Sequence, residues 1–255
     1  MKIKANAPLL ASIGFIFVIY VVWWAYDEHQ VKFVSGVLTA NFIKNDDDKY
    51  IASLSSADLV ARKATSRDEY KLYSMQAASN FSEFEKFKLK QAVRKADAYF
   101  KTLEKSMPYF KHNKSLHWQF SRTSGIYYEG GHPHTRKDII FITDGVMTRQ
   151  MQDIVELVIH ERIHVLQRQF PKETTSLFLD IGFQKVGVRA DFPCARANPD
   201  LDENIYAHPQ MLENRPWVSC YSSETPSSIQ DVTTEDIFEH PFEYIAYTLA
   251  NQYQS

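Results

Sequence analysis

The run VIHERIHVLQRQF, residues 158–170, places two demands on one helix. Met151, Ile154, Val155, Val158 and Leu166 recur at helical spacing, the pattern of a helix packed into an interior. His160 and His164 stand four apart, so their imidazoles lie one above the other on one face, and Glu161 directly follows the first. A fold that buries this helix must also supply partners for those polar groups. The periodicity predicts a helix from about Thr148 to Gln169, ended by Pro171.

Two imidazoles one turn apart can take two corners of a tetrahedral zinc site, and a carboxylate directly after the first lies beside the metal. There it can accept a proton from water whose pKa zinc lowers to about 7. The competing reading is a polar patch on an ordinary helix. A catalytic zinc site takes three protein ligands, and no further histidine follows at short range. The run EHPFEYIAY, residues 239–247, offers Glu243 as the expected third ligand. Phe242, Ile245 and Ala246 around it mark a helix that packs inward; Glu239 and His240 are the alternatives. A donor for a developing oxyanion is also needed. Tyr247 is the expected one, with Tyr244, His132 and His134 as other candidates. Arg168, one turn below His164, is expected to support the site from behind its ligands or to make a structural ion pair rather than to act in catalysis.

The rest of the chain limits the setting. Its 255 residues are 44% hydrophobic and 24% charged with net charge −2, a globular composition without the basic excess of a nucleic-acid binder. Only 8 glycines are present and no Gly-rich phosphate loop. Residues 7–26 carry no charge, and as a helix they would span about 30 Å, the thickness of a bilayer core. Trp23, Trp24 and Tyr26 close that run; Lys2 and Lys4 precede it. The expectation is an N-terminal transmembrane anchor (1–26) in the lipid bilayer, a cytoplasmic N-terminus and a domain on the other side. A cleaved signal peptide fits less well, because its apolar region is about 7–15 residues long. Cys194 and Cys220 are either one disulfide or two buried thiols. Asn80 and Asn113 match the glycosylation pattern.

Between anchor and motif, residues 27–55 read as a stalk or loop, with NDDDKY (45–50) as a solvated turn. Residues 56–106 read as helical, with a Ser82/Glu85 capping box and a Leu89, Ala92, Val93, Ala96, Phe100, Leu103 stripe. Residues 116–122 alternate as a strand and GIYYEGG (125–131) continues it. DIIFIT (138–143) reads as a buried or half-buried strand, expected to lie at the sheet edge and pair there with an extended substrate. Residues 172–235 are dominated by turn signals, and a last helix starts at Pro241. The expected organisation is the anchor, a linker and helical region (27–106), and an α+β domain (107–255).

The order strand, HExxH helix, later helix with glutamate resembles the zincin metallopeptidases whose third ligand is a glutamate. The pieces GGHPHTRKDIIFIT, IHERIHVLQRQFP, ANPD and EHPFEYIAY, spread over about half the chain, are similar to HExxH proteins encoded by large DNA viruses of algae and protists. The resemblance implies a zincin-like domain holding Zn2+ through His160, His164 and Glu243. Glu161 would be the general base, and a peptide or protein the substrate. It also admits a structural, membrane-associated virion protein that keeps the fold without turnover, or a hydrolase of other amides. In the family an aspartate four residues past the ligand glutamate supports a histidine; here Tyr247 stands there.

Overall fold

The computed structural model describes residues 31–234 and 236–253. The chain opens with β1 (Val31–Phe33), α1 (Gly36–Asn45), α2 (Ser56–Ala61), α3 (Arg67–Gln76), β2 (Ala78–Ser79) and α4 (Glu83–Ser106). There follow β3 (Trp118–Thr123), β4 (His134–Arg136), β5 (Ile139–Ile142), α5 (Asp144–Met147), α6 (Met151–Gln169) and α7 (Pro171–Asp180). The last elements are β6 (Gln184–Val188), β7 (Asn204–His208), β8 (Met211–Trp217) and α8 (Pro241–Ala250). The result is a mixed α+β fold with two small sheets. One has the order β1-β3-β5-β4, with β2 also paired to β3; the other is β6-β7-β8. β1, β3 and β5 are mutually parallel, while β4 turns back antiparallel on β5 and forms the edge.

α4 begins with the expected reciprocal cap: Ser82 accepts from the Glu85 amide and Glu85 from the Ser82 amide. Its whole apolar stripe is buried, against α6 and the segment 108–118 that leads into β3. α6 lies between α4, α8 and the first sheet, so it is apolar on several sides: Ile154, Val155, Val158, Ile159, Ile163, Val165 and Leu166 are all inaccessible. Each such side chain contributes about 1.5–3 kcal/mol on burial. Arg162, inside the motif run, donates to the Asn113 side chain and to the carbonyls of Asn113, Leu116 and His117, and lies 4.4 Å over the Trp118 ring. It ties the helix to β3.

Several expectations are corrected. No helix among the described residues is long and apolar enough to cross a membrane, which leaves the single-pass membrane assignment without support. The longest, α4, has 24 residues, but one face carries lysines and glutamates. The proposed anchor, residues 7–26, lies outside the described residues. Of the expected stalk, residues 31–55 are described and are not a plain stalk, because β1 and α1 belong to the main sheet and its cover. NDDDKY is not a solvated turn: Asp46 and Asp48 both accept from the buried guanidinium of Arg136. Residues 125–131 form turns and a short 3-10 segment around Gly130 rather than a strand, since Glu129 and Gly130 have positive φ. β5 is an inner strand, so it has no free edge to offer a substrate. Pro171 opens α7 as well as closing α6, because its missing N–H suits a first turn. Residues 172–235 contain α7 and the second sheet. Asn113 is 7% exposed and donates to Asp97, which removes it as a glycosylation acceptor.

A buried polar network joins the first third of the chain to the rest. Arg62 pairs with Glu129 through two bonds of 3.1 and 2.7 Å and donates to the Ala197 carbonyl at 2.8 Å. Tyr70 also donates to Glu129, and Tyr221 to Asp58. Arg62→Ala leaves the Glu129 charge buried without its cation. The expected loss is about 3–5 kcal/mol in urea unfolding; a loss under about 1 kcal/mol, the size of an exposed pair, would contradict this account.

Candidate metal centre

α6 and α8 lie side by side in opposite directions. Gln152 reaches the Tyr253 carbonyl at one end, and Gln167 donates to the Phe242 carbonyl at the other. This pairing sets Glu243, in the first turn of α8, against the histidine face of α6. The Nε2 atoms of His160 and His164 are 3.0 Å apart, and Glu243 Oε2 is 3.3 Å from the first and 3.5 Å from the second. Among the described residues this is the one group of three or more His, Cys, Asp or Glu arranged as metal ligands.

The donor set fits zinc. Bonds of about 2.0–2.1 Å in a tetrahedron separate neighbouring ligand atoms by about 3.3 Å, which the observed triangle matches. Ring orientation agrees as well. The Gln167 amide nitrogen is committed to Phe242, so its oxygen faces His164 Nδ1 at 2.9 Å and accepts its proton. That leaves the His164 Nε2 lone pair directed at the cluster. Glu243 accepts from Asn198 through Oε1, at 3.1 Å, which leaves Oε2 for the histidine side. Burial would raise the Glu243 carboxyl, but His164 and His160 beside it hold it well below the usual carboxylate range. His160 is the open side of the group, its side chain 13% exposed in a cleft of about 480 Å³.

Glu161 is buried in the wall of the same cleft and accepts from Thr135 Oγ1 at 2.8 Å. Burial, and then the nearby Asp200 carboxylate, push its carboxyl well up. Asp200 accepts from the Thr135 amide at 2.5 Å, and burial raises it to about 6.

The other expected residues divide. Tyr247 lines the cleft and sets its ring edge-on against His160, centroids 4.6 Å apart. Tyr244 instead packs on Phe183 and Trp217. Glu239 is held away from the cluster by two bonds from Arg196. His240 caps α8 by accepting from the Phe242 amide and faces Asp202 at 3.2 Å. His132 and His134 border the cleft without joining a metal group. His134 is stacked on Phe141, and burial pushes it down to about 4, so it is neutral at pH 7. Arg168 donates to the carbonyls of Pro199 and Leu201 rather than to a carboxylate. Cys194 and Cys220 form a disulfide at the base of the loop that carries Arg196, Asn198 and Asp200.

Thr135, Gln167, Arg196, Asn198 and Asp200 were not anticipated. Gln167, three residues after His164 on a helix, was within reach of a spacing argument. The turn signal at Asn198-Pro199-Asp200 located a loop but not its side-chain partners. No protein-family model, curated protein or solved structure matches this chain.

Glu129, also in the cleft wall, gives the region a defined acid response. Burial would raise it, but the charge and hydrogen bonds of Arg62, with the Tyr70 hydroxyl, together outweigh burial and hold its carboxyl at about 2, against 4.5 when unperturbed. A carboxylate with a lowered folded pKa stabilises the fold above its unfolded pKa, and that stabilisation is lost as pH falls through the folded value. Stability is therefore expected to drop between pH 4.5 and about 2. The Glu129 share is about 3 kcal/mol. Urea unfolding across that window should show a shallower pH slope for Glu129→Gln than for the native chain; equal slopes would assign the response elsewhere.

Proposed function

We propose that this chain is a zinc-dependent hydrolase of peptide bonds with a zincin-like core formed by β5, α6 and α8. The observation that carries this is the His160–His164–Glu243 triangle opening on a cleft with Glu161 in its wall. Zinc, when bound, supplies Lewis acidity that polarises a carbonyl and makes water a nucleophile at neutral pH. Glu161 accepts the proton of the attacking water. It returns that proton to the amine nitrogen as the C–N bond breaks, and the water oxygen stays on the acyl carbon. Thr135 holds one oxygen of Glu161, which leaves the other for proton transfer. Tyr247 is the proposed donor to the oxyanion. Gln167 and Asn198 fix the orientation of His164 and Glu243.

The test is zinc content and cleavage of a denatured-protein panel, measured on the same preparations. The native chain and Glu161→Gln should both hold about one zinc, as a three-ligand site does, and Glu161→Gln should lose about 10²–10⁴-fold in kcat. Glu243→Ala should lose the zinc. Folded native protein that takes up no zinc would refute the proposal. Gln167→Ala should weaken zinc binding by about 10–100-fold, read by competition with a chelator.

A further inference from the structure

Along His132–Thr135, the stretch of sheet edge beside the cleft, no backbone donor is left to offer. β4 is the edge strand, joined to β5 by the two-residue turn Lys137-Asp138 with Lys137 at φ 55°. Arg136 and Ile139 close that turn as a hydrogen-bonded pair, so the next residue, Thr135, points its N–H and C=O away from β5. The Thr135 N–H is taken by Asp200 at 2.5 Å. Two residues back on the same side is Pro133, which has no N–H. The His132 N–H is turned inward to the Glu129 carbonyl at 3.0 Å. An extended peptide laid along this stretch would meet acceptors only, whereas strand addition depends on a ladder of both donors and acceptors.

The loop that brings Asp200 to this edge, residues 194–202, is not a removable lid. The Ala197 amide donates to Asp58 and its carbonyl accepts from Arg62, both at 2.8 Å. Arg168 holds the Leu201 carbonyl at 2.9 Å, the Asp200 amide donates to Asn198, and the Cys194–Cys220 disulfide closes the base. The remaining space, about 480 Å³, is the size of a small-ligand site, which runs to roughly 300–1,000 Å³.

We infer that this cleft binds its substrate through side chains and the ligand cluster rather than as an added β-strand, and therefore takes short peptides instead of internal stretches of extended polypeptide. The inference rests on the hydrolase proposal for the chemistry, but the closed edge itself does not.

Two measurements on the full chain test it. The first is hydrogen exchange at the Thr135 amide by NMR, without metal. Exchange should be slowed by at least about 100-fold relative to an open chain, and Asp200→Ala should release it by about 10-fold or more. Fast exchange in the native chain overturns the inference. The second uses Co2+-loaded protein and a tetrapeptide hydroxamate, compared with the same probe methylated on its backbone nitrogens. The two Kd values should agree within about 3-fold; strand addition would instead lose about 10-fold or more on methylation, and that result overturns the inference. If Thr135 is protected and neither hydroxamate binds, the closed edge stands and the metal proposal fails.

Discussion

Three carboxylates, Glu161, Asp200 and Glu243, are buried near two histidines, and a fourth, Glu239, lies just behind them; each is 7% exposed or less. Charges of one sign at such density repel strongly in a medium of low polarity, and each needs a specific partner. Much of the fold near the cleft follows from this. Arg196 takes Glu239, Asn198 bridges Glu239 and Glu243, Thr135 serves both Glu161 and Asp200, and the histidines face Glu243. A divalent cation at the cluster would offset what these partners leave uncompensated.

The loop 194–202 is where those demands are met, and it is held from far away in sequence. Asp58 and Arg62 bind its backbone from the first third of the chain, Ser219 accepts from the Arg196 amide, and Arg168 reaches it from α6. A loop of this kind owes its shape to buried polar contacts and a disulfide rather than to any regular element.

The long helices were legible because their periodicity and caps are local. α4, α6 and α8 follow from apolar spacing, the Ser82 box and Pro241, and the approach of Glu243 to the histidines follows from the inward face of α8. The disulfide was one of two open alternatives. What stayed hidden depends on distant partners. The acidic run at 45–50 has the composition of a solvated turn, and only the folded chain brings Arg136 to it. Strand order was equally hidden: β5 has the apolar content of a buried strand, but nothing local says that β4 rather than β5 is the edge. The two-residue β2 and the three-residue β1 are too short to carry an alternating pattern.

The distance between His164 and Glu243 along the chain is also a distance in time. During synthesis at about 5–20 residues per second, the histidine helix leaves the ribosome roughly 4–16 s before the glutamate. In that interval the two imidazoles and Glu161 have no Glu243 beside them and no α8 to cover them. The cluster is thus a late product of assembly, complete only when α8 docks against α6, and a growing chain carries an unfinished centre beside its own unfolded backbone.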